Sequence, residues 1–204
     1  TLCMHDLSGC VTRITREPRK FVPLYLAGIS ILTAWTFNGA VGYTQFTLPW
    51  WVNAPSIIGF YGLLQVIFDK CIWRRQILRT IEVVKVPDLN GAWKGHLTSS
   101  FDGHSTKQDV TIKISQRWTQ ISIILETNRS KSHSLIAAII TENPTDVVLS
   151  YEYLNEPTPN AKHTMNIHRG TTRLTLSPDS QTLNGDYYTS HDRQSSGVLS
   201  FRRL

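Results

Sequence analysis

Charge is missing from a long stretch near the start of this 204-residue sequence. No Asp, Glu, Lys or Arg occurs from Phe21 to Phe68, although charged residues make up 18% of the chain. Two apolar runs in this window, residues 21–37 and 51–68, approach the roughly 20 residues that a helix needs to cross a bilayer. Neither run has a polar face of period 3.6, which disfavours the alternative of two buried core helices. A cleaved signal peptide does not fit, because a second span follows the first.

Basic residues flank this window on both sides and are absent from its connector. Four precede it and four follow it: Arg13, Arg16, Arg19, Lys20, Lys70, Arg74, Arg75 and Arg79. Such flanks are typical of the cytoplasmic side. The sequence therefore predicts a multi-pass inner-membrane protein with a basic N-terminal segment at residues 1–20, a short periplasmic connector, and both termini in the cytoplasm.

The rest of the chain lacks the features of several other classes. Residues 80–204 carry little of the formal net charge of +6, which argues against a nucleic-acid polymer as partner. The three cysteines, Cys3, Cys10 and Cys71, show no metal-ligand spacing and lie where a reducing compartment is expected. No nucleophile turn or clustered His–acid set suggests catalysis. We expect neither an enzyme nor a bound metal or cofactor.

Residues 69–89 are predicted to form a basic stalk that continues the second helix until Pro87 stops it. From residue 90 onward, apolar and polar residues alternate in short runs separated by turn signals. Eight strands are predicted near residues 92–100, 108–115, 119–126, 134–141, 147–154, 164–176, 182–189 and 198–203. The His168–Arg169–Gly170 sequence is interpreted as a bulge or corner. Eight antiparallel strands fit a small lipocalin-like barrel, because closure removes exposed edges.

The alternation also predicts which side chains face the barrel interior. Val110, Ile112 and Ile114 share one parity, as do Trp93 and Leu97. A barrel of this size is either filled by side chains or holds one small ligand.

Aromatic, hydroxyl and basic side chains cluster on the last strands and adjoining loops. Arginine can clamp a phosphate, tyrosine can stack on a base, and threonine can complete the site. The candidate binding residues are Tyr151, Tyr153, Arg169, Thr171, Arg173, Tyr187, Thr189 and Arg193.

Small residues recur at helical spacing in both apolar runs. They would allow close packing of helices, with one glutamine available for an interhelical hydrogen bond. The set is Ala27, Ser30 and Ala34 in the first run, and Ser56, Gly59, Gly62 and Gln65 in the second.

Several sequence blocks, in this order, resemble a known family. They are "VPDLNGAWKGHL", "YEYLNEPTP", "MNIHRGTTRLTLS", "LNGDYYTS" and "SSGVLSFRR", which follow two spans and a basic stalk. The combination resembles the two-transmembrane β-barrel effectors of CBASS, the bacterial cyclic-oligonucleotide-based antiphage signalling systems.

The resemblance implies a cytoplasmic barrel that binds a cyclic dinucleotide made by a partner nucleotidyltransferase after infection. It further implies that binding promotes self-association and that the spans then disrupt the inner membrane and stop phage propagation. Two alternatives from other classes are a membrane-tethered carrier of an apolar small molecule and a ligand-free scaffold. The carrier would need an apolar cavity, and the scaffold a filled barrel.

Overall fold

The computed structural model describes residues 11–12, 21–43, 57–143, 146–190 and 194–204. These fall into two units. One is a helical unit within residues 16–85, and the other is a β unit that comprises residues 86–204 and the short strand at residues 11–12.

Two apolar helices dominate the helical unit. Helix α1 spans Phe21–Tyr43, and α2 spans Ile57–Lys70. The segment Phe21–Ala40 of α1 is long and apolar enough to cross a membrane, and only 22% of its most apolar window is buried, unlike a core helix. The described part of α2 is 14 residues, or about 21 Å long. The start of the predicted second span lies outside the described residues.

The predicted helix-packing residues take different positions. Ser30 and Ala34 are buried on a stripe of α1 that also carries Val22 and Leu26. The rings of Phe37 and Phe60 meet edge to face, with centroids 6.0 Å apart. The remaining members of the set are distributed as follows: Ala27 is half-buried, Gly59 and Gly62 are exposed, Gln65 is half-buried, and Ser56 lies outside the described residues.

The predicted continuous stalk helix is wrong. After α2 ends at Lys70, the chain forms one 3-10 turn at Ile72–Arg74 and the short helix α3 at Gln76–Thr80. Arg75 is extended (φ −65°, ψ 130°), which interrupts helical hydrogen bonding between the two. Glu82 has a φ of 57°, which a right-handed helix cannot continue through.

The β unit is a closed barrel of eight antiparallel strands, which confirms the predicted fold class. A two-residue strand, β1 (Val11–Thr12), pairs in parallel with β5 outside the ring. The barrel strands are β2 (Gly91–Ser99), β3 (Gln108–Gln116), β4 (Ile121–Thr127), β5 (Ser130–Asn143), β6 (Asp146–Pro157), β7 (His168–Leu176), β8 (Thr182–Thr189) and β9 (Ser196–Arg203). Each strand pairs with its neighbours in sequence, including β5 with β6, and the pairing of β2 with β9 closes the ring. Residues 164–167, which were predicted to begin the sixth strand, are outside any strand because a 3-10 turn at Pro159–Ala161 precedes them.

Side chains of one parity fill one end of the barrel. Val110, Ile112 and Ile114 are buried as predicted, and Leu174 and Leu183 face them from β7 and β8. We call this the closed end. The opposite end, where residues 128–129 join β4 to β5, is the mouth.

A polar network seals the closed end below Trp93. The indole N–H of Trp93 donates to the carbonyl of Leu89 at 3.1 Å. The buried side chain of Gln116 accepts from the backbone N–H of Leu89 (2.8 Å) and donates to the carbonyl of Pro87 (3.1 Å). The Arg203 guanidinium lies over the Trp93 ring at 5.2 Å and donates to the carbonyl of Asn90. Residues 87–90 are therefore bonded into the barrel.

The bulge lies in β5, where the sequence did not predict it. The register between β5 and β6 shifts between Ser134 and Ile136. The Ser134 hydroxyl accepts the backbone N–H of Ile123 at 3.0 Å, which replaces a ladder hydrogen bond. By contrast, β7 keeps an unbroken register through His168–Gly170, so the bulge predicted there is wrong.

Candidate functional site

A cavity of about 350 Å³ opens at the mouth of the barrel. Its floor is apolar, with Leu97, Leu125 and Leu199 on three different strands. Its rim is formed by the loops that follow β2 and β6 and by the hairpins β4–β5 and β8–β9. The volume lies within the range of about 300–1,000 Å³ usual for small-molecule sites.

The wall of the cavity is polar because the inward-facing residues change from apolar near the closed end to polar near the mouth. On β5, the buried residues on the mouth side of the bulge are Ser130, Ser132 and Ser134, whereas Ala137 and Ile139 are buried beyond it. The bulge shifts the inward parity by one residue between the two sets. The same strand thus contributes hydroxyls to the cavity and apolar groups to the core.

Three tyrosines contribute to the cavity wall. Tyr151 and Tyr153 are successive inward residues of β6, with ring centroids 6.2 Å apart and ring planes at 56°. Tyr187 lies on β8. The Tyr153 phenol packs so closely on Gly170 that a Cβ there would lie 2.4 Å from its oxygen. Glycine is therefore required at this position for the tyrosine to stand where it does.

Tyr151 has the most unusual environment of the three. Burial raises the pKa of Tyr151 to about 12, while the neighbouring Thr172 hydroxyl acts in the opposite direction. The phenolic oxygen is buried, and no described residue meets both the distance and the angle expected of a hydrogen bond with it. Such a group is costly to leave without a partner, by about 1–3 kcal/mol. It is a candidate for a hydrogen bond to a ligand.

Two hairpins carry matching hydroxyl pairs at the mouth. On the β4–β5 hairpin, the Thr127 hydroxyl accepts the backbone N–H of Ser130 (2.9 Å) and lies 3.2 Å from the Ser130 hydroxyl. On the β8–β9 hairpin, the Thr189 hydroxyl accepts the backbone N–H of Ser195 (2.8 Å) and lies 3.1 Å from the Ser195 hydroxyl. All four residues line the cavity.

Charged groups at the rim are few and nearly balanced. The Arg129 guanidinium donates to the Thr164 hydroxyl at 2.7 Å, which joins the β4–β5 hairpin to the loop after β6. A hydrogen bond from the Thr106 side chain holds the pKa of Asp102 below its usual value, so this carboxylate is ionised at neutral pH. His168 also lines the cavity. Across the described residues, no three His, Cys, Asp or Glu side chains converge as metal ligands.

The predicted binding residues separate into two groups. Tyr151, Tyr153, Tyr187 and Thr189 line the cavity. The side chains of Arg169, Thr171 and Arg173 are exposed on the outer face of β7, because Thr172 and Leu174 take its inward positions. Residues of both parities were grouped into one site, but a barrel strand presents only one parity to its interior. Arg193 lies outside the described residues.

Several lining residues were missed from the sequence. They include Arg129 on a two-residue turn, Asn155, His168, Ser130 and Ser132 of β5, and Ser195 of the β8–β9 hairpin. One signal could have found the serines. Small polar residues repeat at alternate positions in the sequence Ser130–Lys131–Ser132–His133–Ser134, where a filled barrel would require apolar residues on one parity. No comparable sequence pattern indicates that Arg129 lines the cavity.

Comparison with known proteins assigns the barrel to a family. The family described as "Cap15, cyclic dinucleotide receptor domain" matches residues 84–203, which comprise the whole barrel. CD-NTase-associated protein 15 of Yersinia aleksiciae is 30% identical over 189 residues, which cover 91% of this chain and 85% of that protein. CD-NTase-associated protein 15 of Staphylococcus schleiferi is 28% identical over 155 residues, which cover 76% and 81%. The resemblance found in the sequence blocks is confirmed, and the chain belongs to the Cap15 cyclic dinucleotide receptor family of CBASS effectors.

Proposed function

We propose that the cavity at the barrel mouth is the site that binds the cyclic dinucleotide. The observation that carries this proposal is the division of the barrel interior into an apolar closed end and a hydroxyl-rich mouth. Tyrosine rings offer faces for two bases, and hydroxyls and Arg129 offer donors for phosphate oxygens. The buried Tyr151 hydroxyl, which lies beside Thr172, adds one more donor.

The same cavity disfavours both alternative functions. A carrier of an apolar molecule would have apolar walls throughout, whereas here leucines form only the floor and serine, threonine and tyrosine form the wall. A ligand-free scaffold would have a filled barrel instead of a cavity of about 350 Å³. We infer a binding role for the wall residues, which provide hydrogen bonds and stacking surfaces.

The helical unit supports a role in the membrane. We place α1 across the inner membrane as the first of two spans, with a periplasmic connector and both termini in the cytoplasm. The basic residues on both flanks of the apolar window support this topology. It would put the barrel in the compartment where a nucleotidyltransferase makes the messenger, with no need for direct contact between the two proteins.

Binding of the messenger would promote self-association and disruption of the bilayer. Ligand can favour an oligomer only if it binds the oligomer more tightly than the monomer. The exposed face of α2 is available for such contacts, because a Cβ at Gly62 would point into open space. The buried side-chain oxygen of Gln65 has no hydrogen-bond partner in the described chain and could gain one from a second copy.

One pair of variants separates binding from membrane damage. The chain would be expressed with its nucleotidyltransferase, and membrane depolarisation would be followed alongside cyclic dinucleotide binding to the purified full-length protein. Gly62→Arg should keep binding and abolish depolarisation, since an arginine at mid-bilayer costs about 2.5–3.5 kcal/mol on insertion scales. Gly62→Ala is the matched control and should retain both. Depolarisation that is independent of the messenger would refute the proposed effector mechanism.

A further inference from the structure

The barrel consists of two halves with the same order of elements. Strands β2–β5 and strands β6–β9 each begin with one strand, continue through a 3-10 turn, and end with three strands joined in sequence. The 3-10 turns, Ser100–Asp102 and Pro159–Ala161, both lie at the mouth. In the closed ring, each strand of the first half lies four positions from its counterpart in the second. The halves are therefore related by an approximate two-fold axis along the barrel.

The two hydroxyl pairs are counterparts under this axis. Thr127 ends β4 and Thr189 ends β8, while Ser130 begins β5 and Ser195 directly precedes β9. The ring order places the β4–β5 and β8–β9 hairpins on opposite sides of the mouth. Two like groups thus face the cavity from opposite walls.

Hydrogen bonding within each pair leaves the serine proton available. In both pairs the threonine hydroxyl donates to the serine carbonyl, at 3.2 Å for Ser130 and 3.0 Å for Ser195, and accepts the serine backbone N–H. These bonds use the single threonine proton. The serine hydroxyl proton can then point to the threonine oxygen or rotate to an acceptor in the cavity.

Closing the hairpin does not require the serine hydroxyl. In each pair the threonine side chain makes two hydrogen bonds to the serine backbone, which any residue would supply. The loops differ in length, with two residues between Thr127 and Ser130 and five between Thr189 and Ser195. The same pair is nevertheless present in both, and both serines are buried side chains that line the cavity.

We propose that the Thr127–Ser130 and Thr189–Ser195 pairs are two equivalent phosphate subsites that bind the two phosphodiesters of a cyclic dinucleotide across the barrel axis. The inference rests on the proposed function. A cyclic dinucleotide is a ring of two nucleotides with two phosphodiesters on opposite sides, so its approximate two-fold symmetry matches that of the mouth. Each serine hydroxyl donates a charge-assisted hydrogen bond to a non-bridging phosphate oxygen.

The test uses serine-to-alanine variants of the full-length protein in detergent micelles. Binding is measured by calorimetry with four 3′,3′-linked probes, namely c-di-GMP, c-di-AMP, c-di-UMP and cyclic GMP-AMP, and the tightest probe is used for the variants. Ser130→Ala and Ser195→Ala should each weaken binding by a similar factor of about 10- to 150-fold, and the double variant by the product of the two. Ser134→Ala is the matched control: it removes a buried serine of β5 that serves the bulge, so it should lower stability and preserve affinity.

A probe with one phosphate distinguishes two equivalent subsites from two unrelated contacts. The dinucleoside monophosphate with the same bases can use either pair. Each single variant should therefore weaken its binding by only about twofold, the statistical factor for one of two equal sites, and the double variant by far more.

The outcomes separate this inference from the function on which it rests. Binding of a cyclic probe by the wild type with unchanged affinity in both single variants, or a loss in only one, overturns the two subsites and preserves the receptor. If a single variant no longer binds the dinucleoside monophosphate, the two subsites are not equivalent. If the wild type binds none of the four probes, the proposed function fails and this inference fails with it.

Discussion

Replacing Tyr151 with phenylalanine should make the ligand-free barrel more stable and its complex weaker. The substitution removes only a hydroxyl, and the ring keeps its place beside Tyr153. In the ligand-free protein this hydroxyl is buried, and no described residue has the distance and angle of a hydrogen bond with it. Phenylalanine removes the desolvated oxygen and keeps the ring.

The two effects can be estimated separately. A buried unsatisfied polar group costs about 1–3 kcal/mol, so we expect a gain of about 1 kcal/mol in the free energy of unfolding. For a domain of this size, that gain raises Tm by about 3–6 °C. If the hydroxyl donates to the ligand, its loss weakens binding by about 3- to 10-fold for a neutral acceptor, and by more for a phosphate.

Both quantities can be measured on the same preparation. Thermal unfolding of the full-length protein in detergent, followed by circular dichroism, gives Tm with and without a cyclic dinucleotide, and calorimetry gives Kd. Tyr188→Phe is the matched control, because this tyrosine is 57% exposed and lies on the outer face of β8. It should change neither Tm nor Kd. A lower Tm for Tyr151→Phe would show that its hydroxyl is already satisfied, and an unchanged Kd would exclude it as a ligand donor.

Other predictions follow from the same geometry. Burial raises the pKa of Tyr151 to about 12, so the phenol ionises more readily in the unfolded chain than in the folded barrel; stability should fall by about 3 kcal/mol as the pH rises from 10 to 12, and Tyr151→Phe should lose less in a pH series of unfolding curves. Arg129→Ala should weaken binding about tenfold or more and reduce its salt dependence in calorimetry, whereas Arg173→Ala on the outer face should not; the opposite result would return the site to the outer face of β7. Gly170→Ala should destabilise the barrel by about 1–3 kcal/mol, because the new Cβ would overlap a tyrosine phenol and a backbone carbonyl. Gln116→Ala should destabilise it by about 2–3 kcal/mol in denaturant titrations without changing Kd, since it leaves two backbone groups unpaired at the closed end.

Alternation of side chains predicted most of the barrel. Eight strands with one apolar parity leave little choice of fold, and the positions of Trp93 and Ile112 in the core followed from period two alone. The stalk was predicted less well. Pro87 ends a helix recognisably, but no sequence signal predicts the extended conformation of Arg75 or the positive φ of Glu82.

The site could be predicted only in part for a related reason. Tyr151 and Tyr187 were predicted because tyrosine can stack on a base and both residues lie on the last strands, and both line the cavity. The arginines of β7 were included because they are close in sequence, although alternation puts them on the opposite face from Thr172. Arg129 reaches the rim through a turn and contacts Thr164, which is distant in sequence, so only the closed ring brings the two together.

The bulge in β5 also has a consequence for how this receptor can change over evolutionary time. Because the inward parity shifts at Leu135, the residues that line the cavity and those that pack in the core are different sets along one strand. Substitutions at Ser130 or Ser132 would change the cavity wall, and with it recognition at the proposed site, without disturbing Ala137 or Ile139. Recognition can thus diversify under pressure from phage while the core remains under selection for folding alone.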